Sequence, residues 1–158
     1  MYHWRVVTVG ELFRVSRLLR EVALAAAGDP GEAAPSEGLV VVTDDIVHHD
    51  DTTVTETAAR TGMAQSLVSK VVGQLHHGGV VETVRDETDR RRTRIRVTDL
   101  ARSQILPERA RRTASAELRK RLPELDDKAL AHIEAVLDQL ARQVRNRGPG
   151  QALLSVER

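Results

Sequence analysis

The sequence predicts a mainly α-helical protein with a small β-hairpin wing, in which a winged helix-turn-helix is carried by dimerisation helices drawn from both chain ends. Three observations point there. Residues Val54 to Thr98 place two short amphipathic helical segments, separated by Gly62-Met63, directly before a pair of alternating strands. Apolar residues recur at spacings of three and four near the start and the end of the chain, and arginines crowd into the hairpin.

Leu12, Val15, Leu19, Val22 and Ala26 predict an amphipathic helix over Glu11 to Ala27. Gly28-Asp-Pro-Gly-Glu-Ala-Ala-Pro35 stops it, because prolines and glycines cannot continue the ladder. Ser36 to Asp50 is read as a helix although Leu39-Val-Val-Val42 is β-branched, since a strand would put its acidic residues in an odd register. Thr55–Thr61 and a segment from about Gln65 to His76 form the helix-turn-helix, and Val80–Arg85 and Arg94–Thr98 form the wing around the loop 86–93. Asp99 to Leu122 is helical, with Pro107 as a kink or joint. Asp126 is an N-cap for the last helix, along which Leu130, Ile133, Leu137, Leu140 and Val144 repeat as a heptad seam. The expected divisions are 1–35, an N-terminal dimerisation helix and linker; 36–98, the winged helix-turn-helix; 99–147, C-terminal dimerisation helices; and 148–158, a tail.

With 158 residues the chain can bury a real core, but at 2% aromatic content that core must be built from Leu, Val and Ala, with Tyr2, Trp4 and Phe13 as its few large anchors. The absence of cysteine excludes disulfide frameworks, zinc fingers and thiol redox chemistry. No apolar run approaches the roughly 18 residues that span a bilayer, and the start carries no signal-peptide pattern, so a cytoplasmic protein with no membrane partner is expected.

A net charge of +1 conceals an uneven distribution. Glu37, Asp44, Asp45, Asp50, Asp51 and Glu56 fall in a stretch without Lys or Arg, whereas Arg85, Arg90, Arg91, Arg92, Arg94, Arg96 and Arg102 concentrate in the wing and its flank. Such a field suits the phosphates of double-stranded DNA, and a solvated arginine-rich turn is the bland alternative. On the second helix of the motif, Val68, Val71, Val72 and Leu75 share the face that must pack inward. Gln65, Ser66, Ser69, Lys70, Gly73 and Gln74 share the face a groove would meet. Amide, hydroxyl and ammonium groups there can pair with base edges or phosphates, and any one of them can equally be an ordinary solvated residue. Arg90, Arg91, Arg92 and Arg94 are the candidate wing contacts. Asp89, repulsive to phosphate, is expected to hold Arg91 and so orient the hairpin. Gly73 costs roughly 1 kcal/mol inside a helix, which a close approach of backbone or DNA would explain.

Thr55-Glu-Thr-Ala-Ala-Arg-Thr-Gly62, Ser66-Leu-Val-Ser-Lys-Val-Val72, Gly79-Val-Val-Glu82 and above all Asp89-Arg-Arg-Arg-Thr-Arg-Ile-Arg-Val-Thr98 resemble the multiple-antibiotic-resistance regulator (MarR) family. The resemblance implies a triangular homodimer with intertwined terminal helices. It also implies two winged-helix lobes on a pseudo-palindromic site and repression relieved by a small ligand. The chain departs from the family in having Ala64 where a capping Asp or Ser is common, and in a more acidic, valine-rich segment over Ser36 to Asp50.

A ligand wedged between the dimer helices and a lobe would change the distance between recognition helices, and Phe13, Arg17, Leu39, Val42, Ile46 and His49 are the candidate effector pocket. An apolar wall suits a lipophilic or aromatic acid, while Asp44 and Asp45 oppose an anion nearby. Other readings stay open. His48-His49 beside Asp44-Asp45 and Asp50-Asp51 suggest a metal sensor, although adjacent helical histidines point about 100° apart and a solvated helix end is the commoner outcome. An enzyme finds no nucleophile elbow, phosphate loop or metalloprotease signature, so no catalytic residue, metal site or cofactor is assigned. A protein-binding winged helix would have no need of Arg90, Arg91, Arg92 and Arg94, and a DNA-binding protein without an effector remains an alternative.

Overall fold

In the computed structural model, residues 7–29, 31–86, 92–110 and 113–146 are described. The elements run α1 (Val9–Ala27), α2 (Glu37–His48), α3 (Val54–Thr61), α4 (Gln65–His77), β1 (Val81–Arg85), β2 (Thr93–Val97), a π-helical turn (Ala101–Ile105), α5 (Leu106–Ala110), α6 (Ser115–Arg121) and α7 (Asp127–Asn146). The mainly helical reading with one hairpin is thus borne out, and most boundaries move by a residue or two.

Local chemistry explains where the helices start. Thr8 closes a capping box on α1: its hydroxyl accepts from Glu11 N at 3.2 Å, and the Glu11 carboxylate accepts from Thr8 N at 2.8 Å. Thr53 and Glu56 repeat the device at α3 with distances of 3.2 and 2.9 Å. Ser36 caps α2 by accepting from Leu39 N at 3.2 Å, which starts a helix in the valine-rich segment. Its helical period then puts Val42 and Ile46 on one buried face with Leu39 and Val47 packed beside them. Gly62 ends α3 at φ 69°, a left-handed conformation that glycine adopts without a Cβ penalty. Pro107 follows a π turn: its ring cannot sit against the carbonyl four residues back, and the wider turn before it relieves that clash. Asp126 Oδ1 accepts from Ala129 N at 2.7 Å, the N-cap expected for α7.

Two apolar clusters organise the described residues. The larger holds α2, α3, α4 and the wing together through Val42, Ile46, Ala58, Val68, Val71, Val72, Leu75, Val81, Ile95 and Val97, and extends to Ala101. The smaller joins α1, α6 and α7 through Val22, Leu118 and Leu130, flanked by Leu18, Leu19, Leu122 and Leu137. Phe13 belongs to neither. It is 73% exposed, so the anchor role expected of it is not realised, because its position on α1 turns away from the Val22 face. Tyr2, Trp4 and the tail 148–158 lie outside the described residues.

Polar ties complete the lobe. The Arg60 guanidinium clasps Asp45 of α2, with Nε at 2.9 Å from Oδ1 and Nη2 at 2.8 Å from Oδ2, and donates to Thr52 Oγ1 at 2.6 Å. Asp45 is nearly buried, so this fork satisfies a charge that would otherwise be costly inside the lobe. The strands pair antiparallel from Val81↔Val97 to Arg85↔Thr93. On the other edge of β2, Thr52 and Ile95 exchange backbone hydrogen bonds at 3.1 and 2.7 Å, so the α2–α3 connection adds a third rung.

Burial opposes ionisation of Glu56, yet the backbone N–H and hydroxyl of Thr53, the Thr52 hydroxyl and the field of Arg94 together hold its carboxyl below the ordinary range. A depressed carboxyl pKa contributes stability above the unfolded value, and that contribution disappears as pH falls through the folded one. Glu56→Gln should therefore destabilise the protein to urea at neutral pH, and the difference from wild type should shrink as the pH is taken below the ordinary carboxyl range and through the lowered value of Glu56. A difference that stays constant across that range would contradict the assigned role.

Candidate nucleic-acid interface

α4 is divided cleanly in two. Val68, Val71, Val72 and Leu75 are buried against α2, α3 and the wing, while Gln65, Ser66, Ser69, Lys70, Gly73 and Gln74 are exposed, as expected. The exposed side carries amide, hydroxyl and ammonium groups with a glycine among them, and Leu67 is exposed as well. A Cβ added at Gly73 would meet nothing within 4 Å, so no neighbour among the described residues requires glycine there. Ala64 provides no side-chain cap, and the first turn of α4 begins without one. His76, His77 and His132 are exposed.

The wing is braced from below by acids. Arg94 donates from Nε to Asp86 Oδ2 at 2.9 Å and from Nη1 to the Asp51 carbonyl at 2.6 Å, and its side chain is only 30% exposed. The bond from Asp86, then the field of Asp51, push its pKa further up. Arg96 Nε reaches Asp51 Oδ1 at 2.8 Å. Asp50 accepts from the Val97 backbone N–H at 2.8 Å and pairs with Arg102.

Among the candidate wing contacts, Arg94 is thus turned inward as a brace. Arg92 is exposed, with its carbonyl accepting from Asp86 N at 3.0 Å. Asp89, Arg90 and Arg91 lie outside the described residues. Asp50, Asp51 and Asp86 orient the described part of the hairpin, a role the sequence reading did not give them. The available signal was an acidic run without Lys or Arg followed later in the chain by an arginine run.

The candidate effector residues separate. Phe13 and Arg17 line an open cleft of about 640 Å³ with Arg14, Ser16, Arg20 and Glu37, and the exposed Arg20 and Glu37 pair at 3.3 Å. Val42 and Ile46 are fully buried in the lobe core with Leu39 packed on it, so the pocket role read for these three gives way to packing. His49 is exposed, its Nδ1 3.0 Å from the Asp45 carbonyl oxygen, and His48 makes the same contact with Asp44 at 2.8 Å. Each imidazole is turned back along its own helix, and no group of three or more possible metal ligands converges among the described residues.

A model of the MarR family matches residues 46–92, from the end of α2 to the start of β2. A MarR transcriptional regulator from Methanosarcina mazei Go1 superimposes with a TM-score of 0.62 at 16% identity, covering 88% of this chain and 99% of that one. A MarR family protein from Bacillus stearothermophilus gives 0.58 at 21%, covering 92% and 99%. The PcaV transcriptional regulator from Streptomyces coelicolor gives 0.56 at 23%, covering 88% and 96%. No curated protein matches the chain. The resemblance read from the wing and the helix-turn-helix is borne out, and the fold is that of MarR-family transcriptional regulators.

Gly73 supplies a test of what the exposed face meets. Gly73→Ala should raise stability to urea by about 0.5 to 1 kcal/mol, since the methyl group finds open space and the unfolded chain loses freedom. If duplex DNA approaches this face closely, the same stabilised variant should bind DNA more weakly, by fluorescence anisotropy. A variant that is more stable and binds unchanged would leave the glycine without a role in contact.

Proposed function

We propose that the chain is a sequence-specific DNA-binding transcriptional regulator that acts as a homodimer on a pseudo-palindromic operator and represses until a small effector binds. The observation that carries the reading is the divided surface of α4. Val68, Val71, Val72 and Leu75 are spent on the lobe, leaving Gln65, Ser66, Ser69, Lys70 and Gln74 free for base edges and phosphates. The wing beside it carries the arginines, an arrangement in which the helix enters a major groove and the hairpin reaches the next minor groove. The comparison folds are transcriptional regulators, which agrees with an assignment other than an enzyme.

Dimerisation is supported by apolar surface that one chain leaves uncovered. The α7 seam is buried at Leu130 and half-buried at Ile133 and Leu137, but Leu140 and Val144 are 56% and 69% exposed. On α1, Val9, Leu12 and Val15 are exposed as well. A second copy that covers these residues would give the seam its usual role. Repression and effector response rest on the α1–α2 cleft. Three arginines against one glutamate, with Phe13 also lining the cleft, favour a small anion with an aromatic or apolar body. The PcaV regulator of similar fold has also been solved in complex with its natural ligand. In the first turn of α2, Glu37 lines this cleft while Gly38 lies against Leu67 of α4, 3.4 Å from a Cβ position to Leu67 Cδ2. A ligand that displaces the Arg20–Glu37 pair would thereby bear on the DNA-reading helix.

Leu140→Asp should convert a sedimenting dimer to a folded monomer, because the residue is exposed within one chain. Affinity for a selected operator should then fall on the order of a hundredfold or more, as linkage between half-sites is lost. A wild-type chain that sediments as a monomer at micromolar concentration removes the dimer from the account.

For the effector, aromatic carboxylates titrated onto the protein–DNA complex should release DNA, and Arg17→Ala should blunt the response. If aromatic acids leave affinity unchanged, a DNA-binding protein without an effector becomes the better reading. Release by divalent metals instead would favour the metal sensor.

A further inference from the structure

Asp50 and Asp51 look misplaced in a protein meant to meet phosphate. Their contacts supply a reason. Asp51 adopts φ 62°, a left-handed conformation that side chains other than glycine rarely take up. It is held there from both ends: its carbonyl accepts from Arg94 at 2.6 Å and its carboxylate from Arg96 at 2.8 Å. Asp50 fastens the Val97 N–H and Arg102, and Asp86 takes the other edge of Arg94. Three guanidiniums at the base of the wing thus stand against three carboxylates, with the fields of Glu56 and Glu82 also acting on Arg94 and Arg96.

We propose that Asp50 and Asp51 are specificity-determining residues of DNA binding, which act by withholding Arg94, Arg96 and Arg102 from phosphate. The proposal rests on the DNA-binding reading above and deepens it. Each cation that neutralises a phosphate strengthens attachment to any sequence and steepens its salt dependence, by about 0.9 in the slope of log K against log salt. Base contacts from α4 distinguish sequences only to the extent that they are not swamped by this indiscriminate term. Committing two arginines of β2 and one of the following turn to acids of the same chain restricts the indiscriminate term to the remaining cations, while bracing the hairpin. A brace that served rigidity alone could have been made from neutral groups, without consuming three cations beside a DNA-facing helix.

Binding of the full-length protein to a random-sequence duplex, measured against salt concentration, tests this. Asp51→Asn, which frees Arg96 while Arg94 keeps its bonds to Asp86 and the Asp51 carbonyl, should steepen the slope by about 1 and tighten random-duplex binding at low salt on the order of tenfold, lowering the ratio of operator to random affinity. Asp51→Gly, which removes the carboxylate but retains the left-handed backbone at no cost, should behave alike. Arg96→Gln should leave the slope of the wild type unchanged, since that charge is already committed.

A purely mechanical brace predicts the reverse: weaker binding with an unchanged or shallower slope in both Asp51 variants. That result overturns the proposal, as does an Arg96→Gln slope shallower by the value of a full phosphate contact. The Arg96 arm keeps the test decisive should Asp51→Asn fail to fold. A wild-type protein that binds neither random duplex at low salt nor any selected sequence would instead overturn the DNA-binding reading itself.

Discussion

Two backbone hydrogen bonds between Thr52 and Ile95 are the constraint on which the rest of the lobe depends. A two-stranded hairpin is marginal alone in water. Here β2 is paired on both edges, by β1 and by the α2–α3 connection, and Ile95 is buried beneath it. The hairpin is therefore continuous with the helix-turn-helix rather than appended to it. Thr52 also accepts the Arg60 guanidinium that clasps Asp45, so one residue ties the wing, α2 and α3 to a common point. The angle at which the wing leaves the lobe, and hence where its tip falls relative to α4, follows from that junction.

Charge is organised around the same junction. Within the acidic run Asp50-Asp51 stand next to Thr52, and these residues face Arg94, Arg96 and Arg102 across the third rung of the sheet. Exposed ion pairs contribute little to stability one at a time. Several converging on one short strand, with the Val97 backbone N–H among them, instead fix geometry. The small net charge of the chain thus conceals an acid-and-arginine lattice at the wing base, rather than being evidence of weak electrostatics.

Elements governed by local chemistry were legible in the sequence. Helical periodicity located α1, α4 and α7, Gly62 marked the turn, and Asp126 marked the last N-cap. The buried and exposed faces of α4 were readable residue by residue, because a single helix with one apolar stripe has few ways to pack. What was not legible depends on distance. Leu39, Val42 and Ile46 were read as pocket wall, yet an apolar helix face looks the same whether it lines a cavity or fills a core, and the lobe core claims them. Arg94 was read as a DNA contact, but its partners Asp86 and Asp51 lie eight and 43 positions away, beyond the reach of any periodic pattern. Phe13 was counted as an anchor on its size alone, which says nothing about which side of α1 meets α6 and α7.

The central claim is that α4 reads sequence from two copies held at a fixed separation. Sequencing of duplexes that the purified protein selects from a random pool tests it most directly. The account predicts an enriched inverted repeat whose half-sites lie about one helical turn, roughly 10 base pairs, apart. Recovery of no enriched motif, or of a single half-site without its inverted mate, would contradict it.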